Sequence, residues 1–102
     1  MEKRRLGRTD LGVSLLGFGG FHLLEIPTEE AQDLLNYYLD HGGNYIETAA
    51  EYGHGESERK IGPIVAERRD EIVLASKTPK RNKQEAKEEV EESLERLQTD
   101  YL

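Results

Sequence analysis

The sequence predicts an α/β chain that is part of a (β/α)8 TIM barrel, and three observations predict it. Amphipathic helical segments alternate with short apolar runs along the whole chain, in the order βα, βα, βα, β. Repetition of this kind gives a parallel sheet with right-handed crossovers. The runs Asn44–Glu47 and Ile72–Ser76 are mostly apolar rather than alternating, as strands covered on both faces must be. The third observation is length. The 102 residues are under half of the ~250 that a barrel takes, and a first and fourth strand with nothing beside them would be bare edges. The expected organisation is residues 1–102 as the N-terminal part of one barrel domain, incomplete at its C-terminus. It supplies an N-terminal hairpin, roughly three βα units and the start of strand four.

Taken in order, residues 1–14 alternate loosely and turn at Thr9-Asp10-Leu11-Gly12, which predicts a short hairpin. Leu15, Leu16 and Phe18 fit a buried first strand. The glycines Gly17, Gly19 and Gly20 at its end allow either close approach of a ligand or simply a turn. The first helix starts at Pro27-Thr28, with Thr28 as N-cap and Glu29 and Glu30 against the positive end of the helix dipole. Ala31, Leu34, Leu35, Tyr38 and Leu39 make its apolar stripe, and His41-Gly42-Gly43 ends it.

Strand two, Asn44–Glu47, follows at once. The second helix is expected from Ser57 as N-cap, with Ile61, Ile64 and Val65 as its stripe. Pro63 inside it predicts a kink or a restart, since proline there costs ~3 kcal/mol. Glu67-Arg68-Arg69-Asp70 links to strand three, Ile72–Ser76. Asn82 caps the third helix, with Glu85 completing a capping-box-like pair. Ala86, Val90, Leu94 and Leu97 form its narrow apolar face, and Glu88, Glu91, Glu92 and Glu95 its solvated one. Thr99-Asp100-Tyr101-Leu102 reads as the start of strand four.

Composition narrows the function. The net charge is −7, from 21 acidic and 14 basic side chains, which argues against nucleic acid or an anionic membrane as partner. The cluster Lys3-Arg4-Arg5 with Arg8 reads as a solvated N-terminus. Cysteine is absent, so neither disulfides nor thiolate ligation enter. No apolar run approaches the ~20 residues that span a bilayer, and the basic N-terminus lacks the apolar core of a signal peptide. A cytoplasmic protein fits these features. His22, His41 and His54 have no ligand-like spacing, so no metal site is expected.

The chemistry gathers at two strand ends. Glu47 ends strand two, Tyr52 lies in the loop beyond it, and Lys77 follows strand three. If the two strands are parallel neighbours, an acid, a phenol and an amine meet at one mouth of the sheet. Taken singly, Tyr52 reads as a loop tyrosine on the rim, and Lys77 and Glu47 as a surface pair of ~0–1 kcal/mol.

Longer stretches carry a resemblance. Arg5-Leu6-Gly7-Arg8-Thr9 with Val13–Gly19, Asn44-Tyr45-Ile46-Glu47-Thr48-Ala49 with Tyr52-Gly53 and Gly55–Glu58, Arg68–Lys77, and Ser93–Tyr101 occur in one order across essentially the whole chain. Together they resemble the aldo-keto reductases. The resemblance implies a TIM barrel that transfers hydride between a nicotinamide cofactor, NADPH or NADH, and a small-molecule carbonyl or alcohol. It implies Tyr52 as the general acid, Lys77 as the cation that lowers the phenol's pKa from ~10, and Glu47 as the acid paired with Lys77. It also implies that Gly19, Gly20 and Phe21, with Glu47 and Tyr52, lie against the cofactor.

Two departures stand out. The family's acid is usually aspartate, where this chain has Glu47. Its fourth catalytic residue, a histidine, follows strand four and falls beyond Leu102, as do the later loops that hold most of the dinucleotide. The chain alone is therefore expected to be inactive. The alternative is a non-catalytic barrel fragment or subunit that binds a partner, the remainder of a barrel or another copy, at its open edges.

Overall fold

A computed structural model describes all 102 residues. The N-terminal hairpin is present. Strand β1 (Lys3–Arg5) pairs antiparallel with β2 (Gly12–Ser14). Its turn begins at Gly7, which has φ +55°, and Leu6 N–H closes it on the Leu11 carbonyl at 2.8 Å. Asn44 fastens the hairpin to the body of the protein. Its Oδ1 accepts from Ser14 N–H at 2.8 Å and its Nδ2 donates to the Gly12 carbonyl at 2.7 Å.

Three parallel strands follow in the order β3 (Phe18–Gly19), β4 (Tyr45–Glu47), β5 (Val73–Ala75). The register pairs Phe18 with Ile46 and Ile46 with Leu74. This is a sheet of three strands plus a separate hairpin, and it does not close into a barrel. The outer edges of β3 and β5 carry no strand.

Two expected strands shrink or vanish. Leu15 and Leu16 are exposed, at 55% and 62%, and only Phe18 and Gly19 of the first run form a ladder. Nothing in this chain lies over Leu15 and Leu16, so an apolar sequence alone does not bury them. Thr99–Leu102 forms no strand. The Arg69 guanidinium holds this end instead, lying 3.7 Å from the Tyr101 ring centroid and donating to the Tyr101 carbonyl at 2.8 Å.

Helix α1 (Thr28–Asp40) buries Ala31, Leu35, Tyr38 and Leu39, while Leu34 turns outward. Thr28 is not the N-cap. Pro27 occupies that position with extended backbone and no side-chain bond, and Thr28 is already helical. Gly42, at φ +90°, supplies the left-handed turn that ends the helix. A Cβ on Gly43 would lie 2.1 Å from the Tyr38 ring, so this site excludes any side chain. The Tyr38 hydroxyl accepts from Tyr45 N–H at 3.1 Å and donates to the Leu16 carbonyl at 2.7 Å, fixing β4 to the segment before β3.

Helix α2 (Glu56–Arg68) differs from expectation in two ways. Gly55, at φ +90°, precedes it, and Ser57 lies inside the helix, fully buried, instead of capping it. The Ser57 hydroxyl is already committed to the Gly20 carbonyl at 2.7 Å. The helix also runs through Pro63 without restarting. Pro63 and Arg59 are both exposed, so the Arg59 carbonyl that Pro63 leaves unpaired faces the solvent side.

A short 3₁₀ turn, Arg69–Glu71, leads into β5. Helix α3 (Lys83–Leu97) has Asn82 as its N-cap as expected, with Oδ1 accepting from Gln84 N–H at 2.9 Å and Glu85 N–H at 3.3 Å, but the Glu85 side chain makes no return bond to Asn82. Only its C-terminal half packs down, through Ser93 and Leu97; Val90 is exposed. The core lies between sheet and helices, where Leu35, Ile46, Ile61, Val65 and Leu97 are completely buried. Each contributes about 1.5–3 kcal/mol of transfer free energy.

Candidate active site

The C-terminal ends of β4 and β5 lie side by side because the strands are parallel and in register, Glu47 opposite Ala75. Glu47 is the last residue of β4, and Lys77 lies just past β5. The chain between β4 and α2 folds back over them as a tight loop with Gly53, His54 and Gly55 at φ +66°, +51° and +90°. This left-handed run brings Tyr52 over the strand ends.

The three side chains singled out in the sequence come together. The Tyr52 hydroxyl donates to Glu47 Oε2 at 2.9 Å, and the Lys77 ammonium donates to the same oxygen. Lys77 Nζ also donates to the Thr48 carbonyl at 3.0 Å and lies 4.7 Å from the centroid of the Tyr52 ring. Partial burial by itself would lower the lysine's proton affinity. The Glu47 carboxylate and the Tyr52 hydroxyl together outweigh that and raise its pKa above the ordinary value. Glu47, one methylene longer than aspartate, reaches both partners.

The three residues Gly19, Gly20 and Phe21 divide. Gly19 is exposed, with no atom within 4 Å of where a Cβ would stand. Gly20 is buried, and a Cβ there would meet the Glu47 carbonyl and Ser57 Oγ, each at 2.8 Å. On that side the close approach that Gly20 permits is by the protein's own atoms. Phe21, half exposed, sets its ring edge-on to Tyr52, with centroids 5.2 Å apart and planes at 86°.

A row of buried polar groups on α2 went unnoticed in the sequence. Ser57 Oγ is 2.9 Å from the Thr48 hydroxyl, as well as bonding Gly20. Lys60 Nζ donates to the carbonyls of Leu23 at 2.8 Å and Ile26 at 2.7 Å, anchoring the Phe21–Glu25 turn. Glu58 is fully buried and ion-paired to Arg96 at 2.8 Å. The signal was present. Extending the Ile61–Val65 stripe backwards by three and four residues runs through Glu58 and Ser57, and a charged residue on an apolar stripe needs a buried partner.

The largest concavity, about 450 Å³, is elsewhere. It lies against β5, lined by Leu6, Leu11, Ile72, Leu74 and Leu102 among others, and includes none of Glu47, Tyr52 and Lys77. It is a mostly apolar hollow that also reaches Asn44 and Tyr45 at the start of the neighbouring strand. No three His, Asp or Glu side chains cluster as a metal would require, and no helix is long and apolar enough to cross a membrane.

The comparisons agree with one another. A family model described as the aldo/keto reductase family matches residues 15–102. The Bacillus subtilis protein described as uncharacterized oxidoreductase YqkF is 35% identical over 116 aligned positions, covering 100% of this chain and 37% of the relative. Aldo-keto reductase YhdN of the same organism is 34% identical, with 100% of this chain and 36% of its own length aligned. Among solved structures, aldo-keto reductase AKR11C1 of Bacillus halodurans in its holo form superposes with a TM-score of 0.89 at 38% identity, covering 100% of this chain and 38% of that one. An aldo-keto reductase of Klebsiella pneumoniae described as a complex with NADPH gives 0.81 at 32% identity, over 99% and 37%. The chain thus spans well under half the length of these relatives, and the structural relatives are (β/α)8 barrels. On the family match and these identities, the chain belongs to the aldo/keto reductase family.

Proposed function

We propose that residues 1–102 are the N-terminal part of a single barrel domain that carries out NAD(P)H-dependent reduction of a small carbonyl compound to an alcohol. The observation that carries the reading is the convergence of Tyr52 and Lys77 on one oxygen of Glu47. The descriptions of two Klebsiella pneumoniae relatives, as complexes with NADP and with NADPH, support the choice of cofactor.

The residues present fit a nicotinamide. Gly19 offers open backbone, and Phe21 a half-exposed ring set edge-on to the Tyr52 ring. A bound NADPH would supply hydride to the carbonyl carbon. Tyr52 gives its hydroxyl proton to the carbonyl oxygen, turning away from Glu47 Oε2 to do so. Lys77 stays protonated and stabilises the phenolate left behind, since an opposite charge at this range favours the ionised form. Glu47 holds the ammonium in place through both states. Gly20 contributes by packing on the side where a Cβ would stand, against Ser57 and Glu47.

The test is NADPH oxidation by the full-length gene product with a reactive aldehyde such as 4-nitrobenzaldehyde. Turnover that disappears in Tyr52→Phe supports the reading. Absence of turnover in a folded wild type that binds NADPH would favour the non-catalytic alternative.

A further inference from the structure

The carboxylate of Glu58 joins three elements. Its Oε1 accepts from Arg96 Nε at 2.8 Å and Ser93 Oγ at 3.2 Å, both on α3. Its Oε2 accepts from Ser76 Oγ at 2.7 Å. A carboxylate removed so fully from water persists only with such partners. Helix packing alone accounts for Arg96 and Ser93. It does not account for Ser76, which belongs to neither helix and stands immediately before Lys77.

The placement of Ser76 decides where Lys77 begins. On one side the backbone is held to the β4 end, with Thr48 N–H on the Ala75 carbonyl at 2.9 Å and Ala50 N–H on the Lys77 carbonyl at 3.0 Å. The other edge of β5 has no strand. Successive side chains of an extended chain point to opposite faces. Ser76 accordingly turns to the helices and Lys77 to Glu47 and Tyr52. The Glu58 carboxylate is thus the side-chain anchor for the segment that carries the ammonium.

We propose that Glu58, acting through the Ser76 hydroxyl, is a positioning residue that holds the Lys77 ammonium on Glu47 and against Tyr52. The proposal rests on the reading of Tyr52 and Lys77 as a catalytic pair. The charged and titratable groups facing Lys77 are Glu47 from β4 and Tyr52 from the following loop; Glu58 faces Arg96 of α3.

Ser76→Ala removes the link and leaves Glu58 its bonds to Arg96 and Ser93. Ser76→Thr keeps the hydroxyl. In the full-length protein, kcat of Ser76→Ala should fall about 10- to 100-fold, the order expected for a misplacement of about 1 Å. KM for NADPH should stay near wild type, and Ser76→Thr should recover most of kcat. A second readout does not need turnover. NMR of ¹³Cε-labelled lysine should show the Lys77 titration moving down towards the ordinary lysine range in Ser76→Ala and returning in Ser76→Thr. Wild-type kcat with an unmoved Lys77 titration in Ser76→Ala overturns the proposal. So does a lowered melting temperature with kcat per folded molecule unchanged. If Lys77→Met keeps full turnover, the catalytic reading itself fails, and the lysine titration still decides whether Ser76 positions the ammonium.

Discussion

The hydroxyl of Tyr52 lies 2.9 Å from Glu47 Oε2, the oxygen that also receives the Lys77 ammonium. One carboxylate oxygen therefore sets both the phenol and the amine. The arrangement is partly open to water, with the Lys77 side chain 55% exposed, so its electrostatics are screened as it stands. Under the proposed function, a bound nucleotide would cover the site and strengthen the same contacts, because charges interact more strongly where water is excluded.

Replacing Tyr52 by Phe keeps the edge contact with Phe21 and removes only the hydroxyl. A positioned general acid typically contributes 10²–10⁴-fold. Turnover of the full-length protein should drop by about that factor, with NADPH affinity nearly unchanged in a fluorescence titration. Near-wild-type turnover would remove Tyr52 from the chemistry.

Lys77 gives a signed pH dependence. Its pKa in the folded protein is raised, with the lowering effect of burial outweighed by Glu47 and Tyr52. A raised pKa contributes stability that is fully present below the unfolded value of ~10.4 and lost as pH rises through the folded value. Glu47→Gln removes the carboxylate, so the Lys77 titration should shift down and that alkaline loss should flatten. Equilibrium unfolding from about pH 9 upward, wild type against Glu47→Gln, measures it. The effect is small because the pair is solvent-exposed. Identical alkaline limbs would show that the ion pair is absent in solution.

The site was legible because its spacing is topological. Glu47 and Lys77 end parallel neighbours, and any sequence reading that makes β4 and β5 parallel brings them together. The supporting groups were harder to read. Ser57 looked like an N-cap because serine before a glutamate-rich turn is a common start. Its capping role is taken by the left-handed Gly55, and the hydroxyl serves Gly20 instead. Leu15 and Leu16 read as core because apolar runs are core in most folds. Their exposure here follows from a sheet with only three strands. Pro63 reads as a breaker from its backbone chemistry, but its ring points to solvent and the flanking Ile61, Ile64 and Val65 hold the helix together.

The two glycines before Phe21 should respond differently to alanine. A Cβ on Gly20 meets backbone and a buried hydroxyl at 2.8 Å, and overpacking of this kind costs about 1–3 kcal/mol. Gly20→Ala should lower the denaturation midpoint accordingly. Gly19→Ala enters open space and should leave the midpoint unchanged while weakening NADPH binding. Equal midpoints for the two variants would contradict this packing.

His54 sits in the left-handed region at φ +51° between two glycines that share it. Non-glycine residues tolerate that region at a cost of about 1–2 kcal/mol, partly offset by the greater unfolded freedom of glycine. The His54 side chain is exposed, and the loop's tie to α2 runs through its carbonyl, which accepts from Arg59 Nη2 at 3.1 Å. His54→Gly should therefore stabilise the protein by about 0.5–1 kcal/mol. Urea unfolding checks the sign, and a destabilised variant would mean that the imidazole makes a contact the backbone argument omits.

The last prediction concerns association. The chain buries 24 of its 102 residues and leaves Leu15, Leu16 and Leu102 exposed. The outer edges of β3 and β5 carry no strand, and an apolar hollow lined by Leu6, Leu11 and Ile72 lies against β5. Bare parallel edges beside apolar surface invite pairing with another strand, and a chain this short has little core to resist it. The 102-residue chain should therefore not persist as a monomer at micromolar concentration. Sedimentation velocity should show dimers or larger species, and charged substitutions at the exposed Leu16 and Leu102 should reduce them. A single monomeric boundary together with one cooperative melt would overturn this prediction. It would mean that the core around Leu35, Ile46 and Ile61 is sufficient by itself, with the strand edges protected by hydration alone.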